Sequence, residues 1–205
     1  MASTPPRWGD GVVPSYDAIA EQYAEQYFHE LDGKPFDRDV LDRFAATVKD
    51  RGRVCDLGCG PGQIARYLAA HGVDAFGIDA SASMVATARR LNPTLQFRQG
   101  DFFHLPLADG ELAGVAAFYC LIHCARGELG RAVVEIHRVR MPGGRFLMAV
   151  HAGEGEVGRG NLRQACRTTS SSDGHSGVPS AANPWRGDVA FLLMRVQGNW
   201  GPAQR

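Results

Sequence analysis

Apolar residues in this chain fall into two alternating patterns. Short, mostly apolar runs at 54–57, 73–78, 95–98, 113–119 and 145–151 are bounded by Gly, Asp, Asn or Pro, which predicts buried strands. Between and ahead of them, 36–49, 64–70, 82–91 and 129–140 bring apolar side chains round at helical spacing. Val40, Leu41, Phe44 and Val48 mark the face of the first of these. Punctuation agrees: Asp50-Arg51-Gly52 and Asn92-Pro93 stop helices, His71-Gly72 supplies a C-cap, and Ser81 caps the helix after it. An earlier helix, capped by Ser15 or Asp17, carries Tyr16, Ile19, Tyr23, Tyr27 and Leu31 along one face, a stripe that serves first as core packing. Strand and helix alternate, so the expected class is α/β: a Rossmann-like, doubly wound, mainly parallel sheet with helices on both faces. Ligands of such sheets sit beyond the carboxyl ends of the strands, where Gly58, Asp79, Asp101 and Tyr119 all fall.

The stretch from Arg53 to Gly62, Arg-Val-Cys-Asp-Leu-Gly-Cys-Gly-Pro-Gly, joins the first strand to its helix. Alternating glycines permit positive φ and a ligand lying against the main chain, and the helix start favours a negative group. Gly60-x-Gly62-x-x-Ala65, with Asp79 after the second strand, also fits a dinucleotide fingerprint. Three features lie outside that fingerprint: Asp56 ahead of the glycines, Gly100-Asp101-Phe102, and the Met141-Pro142-Gly143-Gly144 turn before an apolar strand. On these residues the chain resembles the class I S-adenosylmethionine-dependent methyltransferases, particularly the small bacterial ones whose first motif is Asp-Leu-Gly-Cys-Gly-Pro-Gly. The resemblance runs from about residue 16 to about 155, with the motifs in the family's order.

What it implies is a donor, S-adenosylmethionine, that leaves as S-adenosylhomocysteine. Gly58, Cys59 and Gly60 then pass close to the methionine part, and Asp56 holds the turn and the donor's amino group. Asp79, followed by Ala80, accepts from the ribose hydroxyls. Asp101 and the Phe102 backbone read adenine, Met84 packs on the nucleoside, and Tyr119 closes the set at the fourth strand's end. By the same analogy the Tyr-Asp-x-x-Ala helix closes over the cofactor through Tyr16 and Tyr23. The tail departs from the family, whose antiparallel C-terminal strands are incomplete or hard to find here. The stretch at 189–196 is a candidate closing strand.

No catalytic base stands out. His123, at the rim after the fourth strand, is a weak candidate, with His104 and His151 weaker still. An acceptor that arrives deprotonated needs none. Cys55, Cys59, Cys120 and Cys124 match zinc spacings poorly, so no metal is expected.

Composition narrows the partners. The chain has 205 residues with 44% hydrophobic content, enough for one domain, and its 22 basic and 22 acidic side chains cancel. No long-range field draws it to nucleic acid or an anionic membrane, so a small-molecule acceptor is expected. The start lacks an apolar leader, the longest apolar run is short for a membrane helix, and five cysteines without framework spacing suit a reducing compartment, which together suggest a cytoplasmic enzyme. Residues 1–14 read as a flexible arm, 15–159 as the methyltransferase domain, and 160–205 as an atypical Ser/Gly/Pro-rich tail. Apart from Lys34 and Lys49 every basic residue is Arg, which suggests a GC-rich gene, so the tail reads either as a divergent C-terminus or as a shifted reading frame. The expected activity is methyl transfer to a small molecule by in-line displacement. The alternative is a non-catalytic relative that keeps the donor pocket, and a nicotinamide oxidoreductase leaves Gly100-Asp101-Phe102 without a role.

Overall fold

The structure, a computed structural model, describes residues 11–152, 185–186 and 189–195. The arm before Gly11, most of the tail and the side chain of His151 lie outside the described residues. In chain order come helices α1 (Val12–Tyr27) and α2 (Pro35–Val48), strand β1 (Val54–Leu57), α3 (Gln63–Ala70), β2 (Ala75–Asp79), α4 (Ala82–Leu91) and β3 (Gln96–Gln99). Then follow β4 (Leu112–Phe118), α5 (Arg126–Val139), β5 (Arg140–Ala152), β6 (Trp185–Arg186) and β7 (Val189–Arg195). One sheet runs in the order β3-β2-β1-β4-β5-β7-β6. Its strands from β3 to β5 are all parallel.

The central strands carry no alternation because both faces are covered: every residue of β1 and β4 is buried. On one face Leu41, Phe44 and Val48 of α2 and Ile64 and Leu68 of α3 pack over Val54, Ala75 and Leu147. On the other, Ala132 and Ile136 of α5, with Phe102, Leu105 and Leu107 from the chain after β3, cover Cys55, Phe76 and Val115. A side chain at Gly114 would stand 2.9 Å from Val48 and 3.0 Å from Phe44, which shows how closely α2 lies on β4.

The Met-Pro-Gly-Gly turn lies inside β5 as a bulge, since Leu112 pairs with Arg140 and Gly114 already with Arg145. Proline is tolerated there because the ladder is interrupted. Gly144 is required, for a Cβ would come within 2.8 Å of the Met141 carbonyl oxygen.

Three expectations change. Residues 12–14 belong to α1, which begins from Gly11 in the left-handed region with no side-chain cap. Pro14 fits because the first turn of a helix has no use for its N–H. Neither Ser15 nor Asp17 caps α1, and Leu31 lies in a separate 3-10 turn, Glu30–Gly33. Finally, β7 runs parallel to β5, pairing Phe146 with Val189 through to Ala152 with Arg195; only the two-residue β6 is antiparallel to it. A parallel return needs a dozen or more connecting residues, and the interval between β5 and β7 is longer than that.

Candidate active site

The strand order reverses between β1 and β4, and the motif residues converge at the carboxyl ends there. Gly58, Cys59 and Gly60 follow β1, Asp79 and Ala80 end β2, Asp101 and Phe102 follow β3, and Tyr119 follows β4. Tyr119 has a φ of 59°, rare for a residue with a side chain, at the point where the chain turns off the sheet. Burial, together with the carboxylates of Asp37 and Glu30, pushes its phenol well above the usual range.

The glycine turn is fastened to its surroundings by its own N–H groups. Those of Gly58 and Cys59 donate to the Ile78 carbonyl at 2.8 and 3.1 Å, and that of Gly60 to Asp79 Oδ2 at 2.8 Å. Gly62 N–H donates to the Cys59 carbonyl at 2.9 Å. The sequence suggested that these donors would be open to a ligand carboxylate; in the fold they are engaged inside the protein. Asp79 also accepts from Ser81 N–H through Oδ1 at 2.8 Å. Burial raises its carboxyl above the ordinary range, and backbone bonds from Ser81, Gly60 and Ala80 oppose that shift. Asp56 lies beneath the turn, 1% exposed, with Oδ2 accepting from Ala65 N–H at 2.9 Å in the first turn of α3. Burial pushes it up to about 7, against the pull of that bond.

The three glycines have different reasons to be glycine. At Gly58 (φ 67°) a Cβ would stand 2.1 Å from Cys120 Cβ, and at Gly62 (φ 86°) one would stand 2.7 Å from the Phe97 ring. At Gly60 (φ 50°) the nearest atom is in the Tyr23 ring, 3.8 Å away. Of the three, only Gly60 would take a Cβ without overlap, the Tyr23 ring of α1 then lying in van der Waals contact with it.

α1 forms the cover. Tyr16 and Tyr23 meet edge to face with centroids 5.8 Å apart, and Tyr16 Oη lies 2.7 Å from His123 Nε2. Asp17 Oδ1 accepts from Ser81 Oγ at 2.6 Å and from Ser83 N–H at 3.1 Å, so the acid caps α4 instead of its own helix. Ser81 Oγ in turn accepts from Met84 N–H, as the sequence suggested. Farther along, Glu21 accepts from Thr87 and pairs with Arg90. No pattern in the sequence signals that Asp17 reaches across to α4.

Several predicted side chains are placed differently from expectation. Met84 is 1% exposed, so its side chain rests in the core, whereas Phe102, expected to act through its backbone, buries its ring at 2%. Cys59 points into the packing between α3 and α4, its sulfur 2.7 Å from where a Cβ on Gly77 would lie. The thiols of Cys55, Cys59, Cys120 and Cys124 are all raised, burial being the main cause. Asp101 Oδ1 accepts from Phe103 N–H at 2.9 Å, which orients the carboxylate. His104 is exposed beside that loop, away from the rim held by Tyr16 and His123. A cleft of about 470 Å³ lined by Arg53, Asp74, Phe76, Gln96 and Arg98 lies at the amino ends of the strands, opposite the motifs.

The family described as "Methyltransferase domain" matches residues 54–144, which contain both acid-bearing strand ends and the glycine turn. Residues 54–144 match a class I methyltransferase domain. This methyltransferase is 29% identical over 187 residues to a malonyl-[acyl-carrier protein] O-methyltransferase of Enterobacter lignolyticus, covering 87% of the chain and 72% of the relative. It is 31% identical over 140 residues to the demethylmenaquinone methyltransferase of Paenarthrobacter aurescens, covering 68% of the chain and 52% of the relative. Among solved structures it matches a chain of the Haloferax volcanii complex between the Trm112 methyltransferase activator and a methyltransferase, at TM-score 0.53 and 31% identity, covering 66% of this chain and 58% of that one. The methyltransferase thus spans less than two thirds of that solved chain. No helix among its described residues is long and apolar enough to cross a membrane.

Proposed function

We propose that this methyltransferase takes its methyl group from S-adenosylmethionine and passes it to a small-molecule acceptor. The observation that carries the reading is the Gly60–Asp79 bond: it fixes the glycine turn against the acid that ends the neighbouring strand. When bound, S-adenosylmethionine supplies a methyl on a sulfonium, and its transfer is an in-line displacement that asks mainly for a near-attack separation of ~3–3.5 Å.

The residues suit that donor. Gly60 presents bare main chain toward Tyr23 of α1, a surface on which an extended chain could lie once that ring gives way, and Asp79 offers acceptors for hydroxyls. Asp56 and Asp79 place two carboxyls under the turn; burial favours their neutral forms, and an ammonium or sulfonium brought over the turn favours the charged ones. Asp101, held by Phe103 N–H, offers its other oxygen to an exocyclic amine. Tyr16 and Tyr23 cover the opening and exclude water from the transfer. His123 stands at the rim and is the candidate to take a proton from an acceptor that carries one. The two relatives named above act on different acceptors, so they support the reaction class and leave the acceptor to experiment.

Calorimetric titration with S-adenosylmethionine, S-adenosylhomocysteine and a nicotinamide cofactor tests the reading. Saturable binding of the first two alone is expected. A folded protein that binds none of them, or only the nicotinamide, would overturn it.

A further inference from the structure

The chain between β3 and β4 carries Asp101 and Phe102 but has no helix or long strand to fix it. Asp101 and His104 make one isolated bridge, and 105–111 runs as loop and turn. Phe102, Phe103, Leu105 and Leu107 bury their side chains, so the backbone between them needs partners other than water.

Some bonds are made within the loop, as from Leu107 N–H to the Leu105 carbonyl at 2.8 Å, and the partners from outside it include one ion pair on α5. Glu135 Oε1 accepts from Leu105 N–H at 2.7 Å. Arg138 donates to the carbonyls of Leu107 at 2.9 Å and Leu105 at 3.3 Å, and to Asp109 at 2.6 Å. It also grips both oxygens of Glu135, at 2.9 and 2.7 Å. An exposed ion pair is worth little by itself. Here the guanidinium fork and its carboxylate bond backbone on both sides of Pro106, which fixes the register of the whole loop. The connection to the site is short: Leu105 is held by α5, Phe103 lies two residues before it, and Phe103 N–H orients the Asp101 carboxylate.

We infer that Arg138 and Glu135 are positioning residues for the donor's base, holding the 101–107 loop where Asp101 meets the exocyclic amine of adenine. The inference rests on the S-adenosylmethionine reading. It assigns selectivity for the base to an ion pair on a helix that does not itself touch the donor.

The test is a ratio. S-adenosylhomocysteine and its inosine analogue, which replaces the amine by a carbonyl, are titrated by calorimetry into the wild type, Arg138→Ala, Arg138→Lys, Glu135→Gln and, as reference, Asp101→Asn. The wild type is expected to prefer the adenine ligand by ~10-fold or more, the value of a hydrogen bond to a charged group. Arg138→Ala is expected to remove most of that preference, as Asp101→Asn does. Arg138→Lys falls between, because an ammonium cannot span the same set of acceptors. Should Arg138→Ala fail to melt cooperatively, Glu135→Gln and Arg138→Lys carry the same comparison. A merely structural role would weaken both ligands equally and keep the ratio, which overturns the inference while the donor reading stands. A wild type that binds neither ligand overturns both.

Discussion

Tyr16 Oη lies 2.7 Å from His123 Nε2, and the two rings meet edge to face with centroids 5.4 Å apart. These residues are 107 positions apart in the chain, one on α1 and the other on the 3-10 turn that follows β4. The next residue of α1, Asp17, bonds Ser81 after β2. Since β2 and β4 flank β1 in the sheet, two consecutive residues of one helix reach the loops on either side of the glycine turn. α1 is therefore a strap across the place where the strand order reverses, and Tyr23 lies beneath it against Gly60.

Tyr16→Phe keeps the ring and removes the bond across the strap. A bond of this kind contributes about 1 kcal/mol, so S-adenosylhomocysteine is expected to leave roughly five times faster. Stopped-flow displacement of the bound ligand measures this. An unchanged release rate would assign the closure to Asp17 and Glu21 alone.

Asp17→Ala removes the acid that caps α4 from another helix, at a cost of about 1–2 kcal/mol. Its bonds to Ser81 and Ser83 lower its carboxyl below the ordinary value, burial opposing them. A depressed acid stabilises the fold fully above its unfolded pKa, and that contribution disappears as pH falls through the folded value. Thermal melts of wild type and variant should therefore differ at neutral pH and converge in acid. A difference that persists in acid would mean that the lost side chain mattered for packing and not for charge.

The sheet was legible because its strands are short apolar runs ending in Asp or Gly, and because both faces are covered. The first five strands and the helices between them need only local periodicity. The site was legible as a set of chain positions and not as contacts. Met84 follows the motif order, yet its side chain is buried in the core. The N–H groups of the glycine turn look open in sequence, but Ile78 and Asp79 on the neighbouring strand take them, a pairing that only the sheet register creates. Asp17 suggested a cap for its own helix, and the helix crossing gave it to α4. Arg138 and Glu135 show only as an i, i+3 pair on an amphipathic helix, and nothing local says that Leu105 lies against them. β7 is apolar enough to be a strand, but its direction depends on the connection before it.

Two glycines of the turn separate packing from binding. Gly58→Ala meets both a positive φ and Cys120 at 2.1 Å. The left-handed conformation costs about 1–2 kcal/mol and the overlap about 1–3 more, a large share of a domain's ~5–15 kcal/mol. It is expected to lower the urea midpoint sharply or prevent folding. Gly60→Ala has only Tyr23 at 3.8 Å, so it should fold with a loss of about 1–2 kcal/mol. Its methyl would stand on the main-chain surface proposed for the donor, and calorimetry should show binding lost. A Gly60→Ala protein that binds S-adenosylhomocysteine normally would place the donor elsewhere.

Asp56 gives the fold a pH dependence of definite sign. In the unfolded chain its carboxyl loses a proton near ~3.9; in the fold, burial delays that to about 7. Between those values the folded state binds more protons than the unfolded one, so stability falls as pH rises through the window. Asp56→Asn cannot titrate and keeps an acceptor for Ala65 N–H. Urea midpoints followed from pH ~4 to ~7 should then fall less steeply, by up to ~1.4 kcal/mol per pH unit. Asp79, raised in the same direction, keeps part of the slope in the variant. Identical slopes would mean that Asp56 ionises normally in the fold. The same acid links stability to the donor: an ammonium brought over the turn favours the charged carboxylate, so binding below pH ~7 should release a proton from Asp56. Calorimetry of S-adenosylhomocysteine in buffers of different ionisation enthalpy reads that proton directly. Its absence in Asp56→Asn would identify Asp56 as the group that gives it up.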